Sequence, residues 1–176
     1  MDQLRLSVVV AVAMLASLSM PRVTRGGESE ASALVELPRS VLGGSVHSAT
    51  KVLGSPISTT AEQVENRHAK GVKDEIVTLQ YAWGQVAIYR AMVGSSNQLE
   101  LPFGVTLRSN LPQLRDLPKI GTSRNALEAK LGTPESGSRD SITYQLVREG
   151  EGQPDFLTLR FAGDALSEMS WTYDGD

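Results

Sequence analysis

Apolar residues recur along this chain with two periods, and the change from one to the other marks its elements. Val46, Ala49, Val52 and Leu53 fall on one face of a helix over Val46–Leu53, which Gly54 and Pro56 then end. The stretch from Ile120 to Pro134 reads the same way. Ser123 caps a first turn, Leu127 and Leu131 share a face, Gly132 offers a left-handed cap and Pro134 bars resumption. Elsewhere the period is two. Val77, Leu79 and Tyr81 alternate with Thr78 and Gln80, and Val86, Ile88 and Met92 alternate with Ala87 and Tyr89. Leu99, Leu101, Phe103, Val105 and Leu107 keep that period across Pro102, which predicts an edge strand or a bulge. Three later strands follow from Ile142-Tyr144-Leu146, Leu157-Leu159-Phe161 and Met169-Trp171-Tyr173. Gly163-Asp164 predicts a hairpin turn, and the change of facing between Leu166 and Met169 predicts a bulge near Ser167.

The two helical stretches are near copies. Leu42–Pro56 and Ile120–Pro134 align without gaps at an offset of 78 residues (121 minus 43). They share Gly43/Gly121, Ser45/Ser123, Leu53/Leu131, Gly54/Gly132 and Pro56/Pro134. A helix followed by strands, twice, predicts an α+β fold of two tandem units. Each unit is a short helix, or two, packed on a three-stranded antiparallel sheet. The first unit spans 41–109 and the second 120–176, with a connector over 110–119 given an apolar side by Leu111, Leu114 and Leu117. Residues 57–75 read as helix or loop. Thr59 and Glu62 form a capping-box pair that points to a second helix over Thr60–Ala69, with Gly71 as its stop. Residues 27–40, aperiodic and polar, read as a flexible linker.

Composition changes this picture at the N-terminus. Leu6–Leu18 is an apolar run too short for a membrane span and is followed by small residues, so residues 1–26 read as a signal peptide and its remnant. The chain has no cysteine, which excludes disulfides, thiolate metal sites and lipidation after the apolar run. A soluble periplasmic or secreted protein with no stable membrane span is expected. A formal charge of −3 gives no general attraction to nucleic acid, and none is expected as a partner.

The helix Gly-Thr/Ser-x-x-x-Leu-x-x-x-Leu-Gly-x-Pro, followed by strands ending in L-x-F-x-x-G/D-x-L-x-x-x-x-W, resembles the β-lactamase inhibitory protein family. It is also similar to the outer-membrane assembly proteins of the SmpA/OmlA type. The matching stretches are Ile120–Pro134, Leu157–Trp171 and, more weakly, Leu42–Pro56. The likeness covers most of residues 41–174, and the double copy is like the inhibitor. It implies tandem helix-plus-sheet units and a protein partner, an enzyme or an envelope component. The inhibitor carries disulfides and this chain has none.

Candidate chemistry is sparse. His47 and His68 are the only histidines, and no acidic cluster surrounds them at ligand spacing, so no metal site is expected. No serine sits in G-x-S-x-G, and no cofactor motif occurs. Gly43-Gly44-Ser45 offers amides at a helix start, but its repeat at Gly121-Thr122-Ser123 makes a helix cap the simpler reading. Asp140, Glu149, Glu151, Asp155, Asp174 and Asp176 read as loop and tail charge. Tyr81, Tyr144, Trp171 and Tyr173 fall on the apolar side of their strands and read as core. Tyr89 falls on the polar side, where Gln80, Gln145, Arg160 and Thr172 also lie, and Trp83 stands beside a turn. These six residues form the expected protein-binding surface, since exposed Tyr, Trp and Arg concentrate binding energy. The expected protein is non-catalytic and acts as an inhibitor, immunity factor or envelope-assembly partner. A periplasmic module binding a small molecule or cell-wall fragment between the units is the second reading.

Overall fold

The structure, a computed structural model, describes residues 26–66, 69–93, 97–146 and 154–173. The expected signal peptide lies outside these residues, apart from Gly26. In chain order the elements are helices α1 (Gly26–Leu42) and α2 (Val46–Leu53), then strands β1 (Ser58–Glu65), β2 (Lys73–Tyr81), β3 (Gly84–Val93) and β4 (Asn97–Leu107). A single 3-10 turn (Pro112–Leu114) leads to helix α3 (Arg124–Leu131). The chain then forms β5 (Ser136–Gly137), β6 (Ser141–Leu146), β7 (Asp155–Ala162) and β8 (Ala165–Thr172). The fold is α+β. Among the described residues no helix is long and apolar enough to cross a membrane.

The strands form one antiparallel sheet in the order β1-β2-β3-β4-β8-β7-β6-β5. This replaces the expected pair of three-stranded sheets. Each helix, α2 or α3, is followed by four strands, and β4 pairs with β8 to join the halves in one continuous sheet. The fourth strand in the first half is β1. It occupies the segment expected as a helix or loop, and Thr59 and Glu62 are strand residues, not a capping box. An outermost strand has one neighbour and little to bury, so β1 shows no alternation for a reader of the sequence to find.

The two halves repeat their helix punctuation in detail. Ser45 and Ser123 each accept a bond from a first-turn amide, Ser48 N in one half and Ala126 N in the other. Gly54 and Gly132 end the helices, both at φ 82° with ψ near 180°. That conformation is extended on the positive-φ side, not the left-handed helical cap expected, and only glycine reaches it freely. Tyr81 Oη donates to Gly54 O at 3.3 Å and Tyr144 Oη to Gly132 O at 3.1 Å, so each cap is tied to its sheet by a tyrosine. Burial pushes the Tyr81 phenol up. The Tyr144 phenol is pushed up to about 12, by burial first and by Glu128 next, with Arg124 opposing.

One face of the sheet is the core. Val77, Leu79, Val86, Ile88, Val105, Leu107, Ile142, Leu157, Leu159, Met169 and Trp171 are buried there beneath the helices. The connector contributes its expected apolar side through Leu114 and Leu117. Residues 27–40, expected as a flexible linker, lie within α1, whose Leu34 and Val35 are core residues. Pro38 sits inside this helix. Arg39 lies 4.6 Å over the Tyr173 ring and 3.6 Å from the buried Asp155 carboxylate, which places Asp155 in the core instead of a loop.

The bulge expected near Ser167 is present, and of the two readings of Pro102, edge strand or bulge, the structure shows the bulge. Opposite β7, Arg160 pairs with Glu168 and Phe161 with Leu166, so Ser167 is the extra residue. Opposite β3, Ala87 pairs with Gly104 and Ile88 with Pro102, so Phe103 is the extra residue and β4 is a central strand. A bulge reverses the facing of everything beyond it. The run from Leu99 to Leu107 therefore does not share one face. Val105 and Leu107 are buried in the core, while Leu99 is 50% exposed. Met92, expected to point inward, is 38% exposed.

Candidate functional site

The face of the sheet away from the helices is built by the residues that alternate with the core. Cross-strand register aligns Ser58, Gln80, Gln85, Thr106, Ser170, Thr158, Thr143 and Ser136 in one row across all eight strands. Every member carries a neutral hydroxyl or amide. The row is partly satisfied within itself, through Gln80 Nε2 to Gln85 Oε1 at 2.9 Å and the Thr143–Thr158 hydroxyl pair at 3.2 Å. Thr106 and Ser170 stand 3.4 Å apart. These contacts pair neighbouring side chains along the row, which carries no charged residue.

A second row runs Thr78, Ala87, Gly104, Thr172, Phe156, Gln145. Thr172 and Gln145 are exposed on either side of the half-buried Phe156. A third places Ile76 beside Tyr89 and Leu101. The Phe103 bulge adds a ring 6.3 Å from that of Tyr89. Ile76, Tyr89, Leu101, Phe103 and Phe156 are all half-buried with no helix over them among the described residues. With Leu99 they form an apolar patch that the sequence hid, because only the bulge turns Leu99 and Leu101 to this side.

Among the described residues, charge on this face lies at its borders, where Glu62 of β1 stands beside Ile76. Beyond the neutral row, Glu168 takes Arg108 Nε at 2.9 Å and Arg160 Nε at 3.2 Å, both arginines being well exposed. At the other end Asp74 is buried and holds a network. It accepts from Tyr89 Oη, from Asn66 Nδ2 at 2.8 Å and from the Met92 amide at 2.9 Å. Tyr89 therefore presents its ring to the surface while its hydroxyl is tied down.

Five of the six expected contact residues, Gln80, Tyr89, Gln145, Arg160 and Thr172, share this face. Trp83 does not join them. It stacks on the core-side Tyr81, centroids 4.7 Å apart and planes 12° from parallel, and packs against the hydrophobic core. Its position next to a turn suggested exposure, but the stacking partner two residues earlier on the same side decides its place.

The other candidates are accounted for locally. His47 is exposed on α2, and His68, Glu149, Glu151, Asp174 and Asp176 lie outside the described residues. The amide of Val46, at the start of α2, takes a carboxylate from within the chain, Glu100 Oε2 at 3.0 Å. Glu100 also pairs with Arg90 at 2.9 Å, and Arg90 reaches Glu75 at 2.6 Å. Burial works against the Arg90 charge, but the two glutamates more than offset it and raise its pKa above the ordinary value. Among the described residues no group of three or more His, Asp or Glu is placed to hold a metal ion. A recess of about 250 Å³ lies where the connector crosses the joint between halves, lined by Leu107, Leu111, Leu114, Leu117 and Met169 with Arg115 and Lys119 at its side. No family model, curated protein or solved structure matches the chain.

Proposed function

We propose that this chain is an exported, non-catalytic module that binds another protein through the open face of its sheet. The observation that carries the reading is the composition of that face, a neutral hydroxyl and amide row beside the patch of Ile76, Tyr89, Leu99, Leu101, Phe103 and Phe156. Interface centres are depleted in charge and rich in aromatic residues, with polar rims, and this face has that layout. Arg108, Arg160 and Glu168 form one rim. Inhibition, immunity or envelope assembly are the roles such occlusion serves, in line with the family resemblance. The matching caps and tyrosine ties support reading the halves as tandem copies of one helix-plus-sheet unit, now of four strands each. The apolar run Leu6–Leu18 supports export to the periplasm or beyond.

The test uses substitutions that leave the core alone. Thr172→Arg and Leu99→Asp alter exposed side chains on this face. A partner retained from an envelope extract by the parent chain should be lost by both variants, with thermal unfolding unchanged. Retention by both variants would overturn the reading. The recess beneath the connector is the observation that favours a small-molecule ligand. Its size falls below the usual range of about 300–1,000 Å³ for ligand pockets, so the protein reading is preferred.

A further inference from the structure

The two edges of the sheet are unequal. The second half ends in β5, two residues long, and Arg124 Nη1 occupies the backbone just past it, donating to Ser138 O at 2.6 Å and Arg139 O at 3.1 Å. The first half ends in β1, eight residues long and exposed from Ser58 to Gln63. The difference comes from chain length between equivalent points. From the cap glycine to the tyrosine that binds it there are 27 residues in the first half and 12 in the second. The additional residues build a longer outer hairpin, paired from Ser58↔Gln80 to Glu65↔Lys73 without a bulge.

Natural sheets protect such an edge with proline, lysine, a bulge or brevity, because its free amides and carbonyls template another strand. β1 has no proline, lysine or bulge and is eight residues long, so acidic side chains are the one protective device it carries. Its only charges are Glu62 and Glu65. Lys73 stands across from Glu65, whereas Glu62 stands across from Ile76. A second copy paired through β1 would bring both glutamates of each strand into one ladder, which like-charge repulsion disfavours. A strand bearing Lys or Arg would be attracted by the same residues.

We infer that β1 is a strand-addition edge that takes an extended basic segment of another polypeptide, antiparallel or parallel to Ser58–Glu65. Main-chain bonds supply the affinity and Glu62 supplies the charge preference. The site uses the main-chain edge of β1, whose Ser58 and Glu62 border the open face, and it does not depend on that face binding a protein.

Fluorescent ten-residue peptides of alternating Lys and Val/Thr are the probe, with a matched Glu peptide and a Lys peptide N-methylated at its four central amides. The full chain should bind the Lys peptide saturably, one per molecule. N-methylation keeps the charge but should weaken binding by about tenfold or more, and the Glu peptide should bind as weakly. The double variant Glu62→Lys/Glu65→Lys should reverse the preference. Neighbouring residues of an edge strand aim their amides alternately at the partner strand and at solvent. One of Thr60→Pro and Ala61→Pro should therefore keep the parent melting temperature and lose the peptide. Equal binding of the N-methylated peptide would mean attraction without strand addition and would overturn the inference. So would no binding of the Lys peptide, or a concentration-dependent dimer of the chain abolished by the folded proline variant.

Discussion

The indole Nε1 of Trp171 donates to the carbonyl of Leu34 at 3.0 Å, across 137 residues of sequence. Leu34 lies four residues before Pro38 in α1, and proline has no amide to give to that carbonyl. A bond lost inside the first helix is thus replaced from the last strand. Tyr173 Oη adds a second tie to Val35 O at 3.3 Å.

Trp171→Phe should leave the Leu34 carbonyl buried without this donor and lower stability by about 1–3 kcal/mol. Pro38→Ala restores an amide four residues on. Trp171→Phe should therefore cost less in the Pro38→Ala background than in the parent chain. Urea unfolding of the four proteins measures the coupling, and additive losses would show that the two residues act independently.

Gly54→Ala and Gly132→Ala should cost alike, since both residues sit at φ 82° with nearly extended ψ. A Cβ at Gly54 meets nothing within 4 Å, so backbone strain alone acts there, about 1–3 kcal/mol. Thermal or urea unfolding of the two variants tests whether the halves are energetically as well as geometrically alike.

Alkaline stability should depend on the cap-binding tyrosines. Tyr144 rises from 10.0 to about 12 on folding, and Tyr81 shifts in the same direction. Below pH 10 the phenol is neutral in both states and its contribution is complete. Above it the unfolded chain releases the proton first, so stability falls between about pH 10 and 12. Tyr144→Phe should flatten that fall, measured as the slope of unfolding free energy against pH, whatever its effect at neutral pH.

Tyr89→Phe should destabilise by about 1.5–3 kcal/mol, because it removes a donor from the buried Asp74 carboxylate. The phenyl ring stays on the open face. A partner bound there should keep its affinity for this variant once folding is restored by lower temperature, as binding isotherms at 10 °C against 25 °C would record.

The helices were legible because their signals are local. Ser45, Gly54 and Pro56 act within one turn of the helix they bound, and so do Ser123, Gly132 and Pro134. The strands with one buried face were legible from Val77-Leu79-Tyr81 and Leu157-Leu159-Phe161, where burial alternates along the chain. What escaped depends on distant partners. α1 contains a proline and a polar first half, and only Trp171 and Tyr173 show why it holds. β1 lacks alternation because it has one neighbour. The apolar patch escaped for the opposite reason. Leu99 to Leu107 alternate well in sequence, but the extra residue at Phe103 sends the first two leucines to the face opposite the last two apolar residues.

The unequal edges also limit growth along the sheet. Fibre growth through a sheet needs two adhesive borders per molecule, one to accept and one to offer. Here the second border is a two-residue stub with Arg124 across the carbonyls beyond it. A strand added at β1 therefore cannot be propagated through the opposite border, and an exposed edge that would be a polymerisation hazard in a sheet with two long edges is self-limiting in this one.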